Sequence, residues 1–229
     1  MPACRNERER RDIVWMSFAD AGYTSKVKHA TFLVVRHGQT QWNKENRMMG
    51  ISDIPLTVEG VKQAEAVARY LKSYPIDYII SSPLLRAVQT AQAIQAHHSH
   101  IPITTMADVH ERSFGVLEGL TYEEANARYP QIVLGTMWQY PRFRPPGGES
   151  LSDVAARAKR IIEHLADDAY RGRTVAIVSH GSFIRNFLSV ILDIPLEEVN
   201  RYGFANASVS VVRYSPETGG EAHVLNKVA

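Results

Sequence analysis

Cysteine is almost missing from this chain: Cys4 is the only one in 229 residues. One thiol closes no internal disulfide and makes no zinc site, so a reducing, cytoplasmic setting is the expectation. Long apolar runs are missing too. No segment approaches the roughly 20 consecutive apolar residues of a membrane span, and no membrane partner is expected. Nor is there an excess of one charge. Lys and Arg total 26 against 24 Asp and Glu, a formal +2 that lends no support to nucleic-acid binding. Internal repeats and low-complexity tracts are absent. What is there is ordinary for a globular chain: 45% hydrophobic and 22% charged, enough to build a core. The first 29 residues stand apart, with Arg5, Arg8, Arg10 and Arg11 among Glu7, Glu9 and Asp12. They lack the apolar stretch of a secretory signal, and they carry the acids that transit peptides avoid. They read as a flexible extension, or as sequence ahead of a true start at Met16, before a single domain over 30–229.

From residue 31 on, short apolar runs alternate with helical periodicity. Thr31–Val35, Tyr78–Ile80 and Thr174–Val178 predict buried strands, with a weaker one between Ile101 and Met106. A helix is expected from about Thr57, burying Val61, Ala64, Val67, Ala68 and Leu71; the next would bury Leu84, Val88, Ala91 and Ile94. Thr121 with Glu124 and Ser150 with Asp153 are capping-box pairs, the first helix being stopped by Pro130 and the second carrying Val154, Ala158, Ile161, Ile162 and Leu165. Phe183 to Ile191 continues as a helix. Val209, Val211 and Tyr214 alternate with Ser208, Ser210 and Arg213, which predicts an antiparallel edge strand or hairpin. Strand and helix in alternation imply an α/β/α sandwich, three layers around a mostly parallel central sheet.

Such sheets place ligands beyond the carboxyl ends of their strands. Arg36-His37-Gly38 follows the first strand, Ser81-Ser82-Pro83-Leu84-Leu85-Arg86 the second, His110-Glu111-Arg112 the weak one, and Ser179-His180-Gly181 the last. Two histidines, two or three arginines and a carboxylate thus reach one edge from distant parts of the chain. Guanidinium forks match phosphate oxygens, and helix N-termini after His37-Gly38 and His180-Gly181 would add backbone N–H groups. A neutral imidazole can attack phosphorus, and a carboxylic acid can protonate a departing alkoxide. Two arginines can balance the charge that other phosphatases balance with cations, so no metal or cofactor is expected. His97, His98 and His100 have no acid or thiol beside them and read as a polar helix end rather than a metal site.

These residues match a known pattern. The chain resembles the histidine phosphatase (phosphoglycerate mutase-like) superfamily from about Thr31 to Arg213. The resemblance rests on Arg36-His37-Gly38 followed by Trp42-Asn43, Arg47, Gly50, Asp53-Ile54-Pro55-Leu56-Thr57 and Gly60. Ser81-Ser82-Pro83-Leu84-Leu85-Arg86-Ala87, Glu111-Arg112-Ser113-Phe114-Gly115 with Glu118-Gly119, Pro145-Pro146-Gly147-Gly148-Glu149-Ser150 and Ser179-His180-Gly181 complete it. The resemblance implies that His37 is the nucleophile that becomes phosphohistidine. It implies that Arg36, Arg86, His180, Asn43 and Gly181 hold the phosphoryl oxygens, and that Glu111 protonates the leaving group and then activates water. Between Tyr129 and Arg144 the family tends to cover its site, which makes Trp138, Tyr140, Arg142 and Arg144 a candidate specificity lid. The bland reading there is an aromatic-anchored connection packed on the domain. Glu118 is left between a site ion pair and support of its own turn.

Two enzyme readings follow from the resemblance. Arg36-His37-Gly38-Gln39-Thr40, Glu118-Gly119-Leu120-Thr121 and the short segment before Pro145 are similar to the phosphatase branch, which hands the phosphoryl group to water. Trp42-Asn43-Lys44-Glu45-Asn46-Arg47 and Glu111-Arg112 are similar to mutases, whose cofactor would be 2,3-bisphosphoglycerate. The phosphatase reading is preferred, with a small phosphomonoester as substrate and a monomer or homodimer as the working unit. A phosphate-binding scaffold that has lost catalysis is expected to have lost His37 or Glu111, and both are present.

Overall fold

The computed structural model describes residues 27–133 and 140–229. The N-terminal extension up to residue 26, and Met137 and Trp138 of the candidate lid, lie outside the described residues. In chain order the elements are β1 (Ala30–Arg36), α1 (Gln41–Lys44), α2 (Val58–Leu71), β2 (Tyr78–Ser81), α3 (Leu85–Gln95) and β3 (Ile103–Thr105). Then come α4 (Tyr122–Arg128), α5 (Pro130–Val133), α6 (Leu151–Leu165), β4 (Thr174–Ser179), α7 (Gly181–Ile191), β5 (Ser208–Ser215) and β6 (Gly219–Val228).

The strands form one six-stranded sheet in the order β3-β2-β4-β1-β5-β6. The pairs β2–β3, β2–β4 and β1–β4 are parallel, while β1–β5 and β5–β6 are antiparallel. Period-two alternation divides the core. Phe32, Val34, Val175 and Ile177 face Val154, Ala158, Phe183 and Phe187 of α6 and α7. Leu33, Val35, Ala176 and Val178 face Val67, Leu71, Ala87 and Ile94 of α2 and α3. Three layers result, as expected. Each fully buried Phe or Leu contributes about 1.5–3 kcal/mol of transfer free energy, so the two faces of the sheet hold most of the apolar stabilisation.

Both predicted capping boxes form, at Thr121 with Glu124 and Ser150 with Asp153, and the Thr57 hydroxyl adds a further cap by accepting from Gly60 N at the start of α2. Pro130 stops α4 as expected, and it also opens α5, because proline suits a first helical position, where no N–H is needed. Three readings of the sequence are corrected. On α2 the buried position is Gly60, packed on the loop that follows β1, and Val61 is 42% exposed. A Cβ on Gly60 would stand 2.0 Å from Gln39 O, and one on Gly38 would stand 2.3 Å from Gly60 O. Backbone-to-backbone contact there admits only glycine, and it sets the rotation of the helix. On α3 the buried face is Arg86, Ala87, Thr90, Ala91 and Ile94, leaving Leu84 and Val88 half-buried. Finally, of the expected edge strand or hairpin, the antiparallel β5–β6 hairpin forms, but β5 is internal and β6 is the edge. Ser208 and Ser210 are buried with the valines, since β5 lies between β1 and β6 and its pairing with β6 shifts register between Val209 and Val212. Among the described residues no helix is long and apolar enough to cross a membrane.

Candidate active site

The carboxyl ends of β1, β2 and β4 open into a pocket of about 390 Å³ bordered by Arg36, His37, Asn43, Arg86 and Glu111, with Trp42, Met48 and Phe114 as its apolar wall. His37 leaves β1 at 2% exposure, with its backbone N–H bonded to Ser179 O. Its Nδ1 lies 2.7 Å from Gly38 O. A carbonyl only accepts, so Nδ1 carries the proton and Nε2 keeps its lone pair. The same logic gives His180 the opposite tautomer. Arg86 Nε donates to His180 Nδ1 at 3.2 Å, so the proton sits on Nε2, which is buried and without a partner among the described residues. The two rings are 5.1 Å apart. Burial first, then the Arg86 guanidinium, holds both histidines well below the usual imidazole range. Both are neutral at physiological pH: one carries a nucleophilic lone pair, and the other an orphaned N–H that a phosphoryl oxygen could accept.

Arg86 enters through the first turn of α3, where a cation opposes the helix dipole. The conflict is relieved from outside the helix, as Asp53 Oδ1 accepts from Leu85 N at 2.7 Å. Ser52 O and Gly50 O take one bond from each terminal nitrogen of Arg86, and the second N–H of each is left over. The Arg36 guanidinium is tied to Phe204 O, and its Nε is buried without a partner among the described residues. Burial pushes Arg36 and Arg86 down from 12.5 to about 10, so both stay charged at neutral pH.

Glu111 bonds the backbone N–H of Arg112, not its guanidinium. Its Oε1 accepts from Arg112 N, Ser182 N and Phe183 N, whereas Oε2 has only a 3.2 Å contact with Ser182 N. Oε2 is therefore the oxygen available for proton transfer. This changes two expectations. The first amides of α7 serve Glu111 rather than an anion, and Gly38 N donates to Thr90 Oγ1. Gly181 does not border the pocket but lies against Arg36, where a Cβ would sit 3.5 Å from Nε. Asn43 does border it, and its Oδ1 is occupied by Thr40 N, Thr40 Oγ1 and Asn206 Nδ2. Only its N–H2 group is left to meet a ligand.

The segment before α6 is a brace. Arg157 holds both Glu149 oxygens at 2.9 and 3.0 Å and bonds the carbonyls of Asp108, His110 and Glu111. Glu149 Oε2 also accepts from Ser113 N, and Arg112 Nε donates to Glu149 O. Gly115 has φ +55°, and a Cβ there would stand 2.1 Å from Pro146 O, which accounts for the Pro-Gly-Gly run packed on it. Glu118 is a strut: it accepts from Ile51 N, Ser52 N, Ser52 Oγ, Ser113 Oγ and Phe114 N. Of the candidate lid residues, Tyr140 and Arg142 are exposed, Arg144 pairs with Asp153 at 2.7 Å, and none of the three borders the pocket. Phe143 packs beside Phe114 and Leu117, the aromatic anchor of the bland reading. His98 Nε2 donates to Leu71 O, and among the described residues no cluster of His, Cys, Asp or Glu could hold a metal ion. Asn206, unremarked in the sequence, stands beside His37. An isolated asparagine ahead of a strand gives no signal of that.

Comparison with known proteins agrees with the geometry. A profile of the histidine phosphatase superfamily (branch 1) matches residues 32–227. The "uncharacterized phosphatase PhoE" of Bacillus subtilis is 34% identical over 184 residues, 80% of this chain and 88% of that protein. A 2,3-bisphosphoglycerate-dependent phosphoglycerate mutase of Gloeobacter violaceus is 34% identical over 175 residues, 75% of this chain and 80% of that one. Among solved structures, mycobacterial glucosyl-3-phosphoglycerate phosphatase with VO3 superposes with a TM-score of 0.77 at 28% identity, covering 86% of this chain and 99% of that one.

Proposed function

Because the chain belongs to the histidine phosphatase superfamily, branch 1, we propose that it is a metal-independent phosphatase of small phosphomonoesters working through a phosphohistidine on His37. The observation that carries this reading is the tautomer pair: Gly38 O frees His37 Nε2 to attack, and Arg86 turns the unpartnered Nε2–H of His180 into a donor beside it. His37 Nε2 attacks phosphorus while the ester P–O bond breaks. The departing oxygen takes its proton from Glu111 Oε2. Water then attacks the phosphohistidine, Glu111 takes one of its protons, and the N–P bond breaks to release phosphate. Arg36, Arg86, His180 Nε2–H and the Asn43 amide carry the charge on the phosphoryl oxygens, the role that preorganised donors fill best in a water-poor site.

The mutase alternative has relatives of equal similarity behind it. A mutase must also hold the second anionic group of a bisphosphoglycerate. The third arginine bordering the pocket, Arg47, is engaged with Glu45 and Glu124, which favours hydrolysis.

The test is phosphate release from a panel of phosphomonoesters, with and without chelator and 2,3-bisphosphoglycerate, and with the phosphoenzyme trapped in parallel. The expected result is turnover that survives chelator, needs no bisphosphoglycerate, and disappears with its acid-labile phosphoenzyme in His37→Ala. Turnover that chelator abolishes and a divalent cation restores would sink the mechanism.

A further inference from the structure

Asn206 occupies the turn that leads into β5, 169 residues from His37, and borders the pocket. Its Nδ2 lies 3.2 Å from His37 O, 3.4 Å from Gly38 O and 3.1 Å from Asn43 Oδ1. One amide nitrogen thus binds the nucleophile's own carbonyl, the carbonyl that holds His37 Nδ1–H, and the side chain of a phosphate-binding candidate. The neighbouring residue reinforces the link: Ala207 N donates to His37 O at 3.0 Å, and Ala207 is held at φ +55°. A left-handed alanine is strained, and such strain persists only where the surroundings enforce it.

We propose that Asn206 is a positioning residue for phosphoryl transfer, which fixes the Gly38 carbonyl that sets the His37 tautomer and turns the Asn43 amide so that its N–H2 faces the phosphoryl group. The inference rests on the reading of His37 as nucleophile. All three acceptors are oxygens, so the position demands a donor. A carboxylate there would repel all three and could be accommodated only by turning the Asn43 amide away from the pocket.

The experiment is a double-mutant cycle between Asn206→Ala and Asn43→Ala, read as kcat/KM and as inhibition by orthovanadate, with melting temperature recorded for each variant. Charge-assisted donors are worth about tenfold or more, so Asn43→Ala should weaken both readouts by about that factor. Asn206→Ala should cost about fivefold alone, and less than about twofold once Asn43 is already alanine. Asn206→Asp should be worse than Asn206→Ala in both readouts. Asn206→Ser, which keeps one donor, should fall between wild type and Asn206→Ala, and it replaces Asn206→Ala in the cycle if that variant does not fold. Fully multiplicative losses overturn the proposal, as do unchanged vanadate affinity and kcat/KM at a lowered melting temperature. Wild-type phosphoenzyme, measured in the same runs, separates the two readings. If it forms normally while the losses multiply, only the role of Asn206 fails; if it never forms, the reading of His37 fails.

Discussion

At the floor of the pocket His37 and Arg86 border the cavity and His180 lies behind them; all three are at most 2% exposed, with His37 Nδ1 held by Gly38 O, Arg86 by Gly50 O and His180 by Arg86 of α3. The wall facing them, between β3 and α6, has a small apolar cluster of Phe114, Leu117 and Ala125 and is held mainly by polar contacts. Some of these contacts are half-buried, such as Arg157 with Glu149; others are exposed, such as Arg144 with Asp153. The floor is carried by the sheet, and its geometry comes with the fold. The wall depends on a few side-chain pairs and can vary without disturbing the floor. Glu111 belongs to both, since its backbone lies in the wall and its carboxylate is seated on α7.

Breaking that joint should have the largest effect. Glu111→Gln removes the proposed proton donor and leaves the floor intact. Phosphoenzyme formation from an alkyl phosphate should fall by about 10²–10⁴-fold, the range of general acid catalysis. From a nitrophenyl ester, whose leaving group needs no proton, the first step should fall much less, giving a burst followed by slow turnover in rapid-mixing kinetics. Equal losses for both esters would mean that Glu111 is not the donor.

Next comes the half-buried brace. Arg157→Ala strands the Glu149 carboxylate and releases three carbonyls around Glu111. It should cost up to about 3–5 kcal/mol in urea denaturation, the penalty for removing one partner of a fully buried pair. A loss below about 1 kcal/mol would show the wall to be independent of this pair.

The floor itself should be visible in the pH dependence of stability. Folding holds His37 and His180 well below their unfolded value of 6.5. The unfolded chain therefore binds protons that the folded chain refuses, so stability falls as pH drops below about 6.5, by up to about 1.4 kcal/mol per pH unit for each histidine. Glu149 and Asp153, whose folded values lie below 4.5 and 3.8, add their losses only at lower pH. Melting temperatures between pH 7 and 5 should flatten in His37→Gln and flatten further when His180→Gln is added. A slope unchanged by both substitutions would contradict the neutral pair.

The smallest effect is expected at the exposed end of the wall. Arg144 is 61% exposed and its partner Asp153 is 32% exposed. Exposed pairs are worth about 0–1 kcal/mol, so Arg144→Ala should shift stability by less than about 1 kcal/mol and leave kcat/KM for a simple aryl phosphate within about twofold. A selective loss with doubly charged substrates would restore Arg144 to the specificity lid.

The residues alone determined the α/β alternation, two helix capping boxes and the four strand ends beyond which His37, Arg86, Glu111 and His180 emerge. Those features are set by period and by neighbours within a turn, and both can be counted along the chain. The tertiary structure decided what each of those groups bonds to. Glu118 reaches Ser52 across 66 residues, Arg86 reaches His180 across 94, and Asn206 reaches His37 across 169. It also decided that Gly60 rather than Val61 faces the site loop and that β5 is buried on both sides, because backbone contact and strand order arise only once distant segments are packed. A side-chain hydrogen bond acts over about 3 Å, and a linear sequence does not say which oxygen will be at that distance.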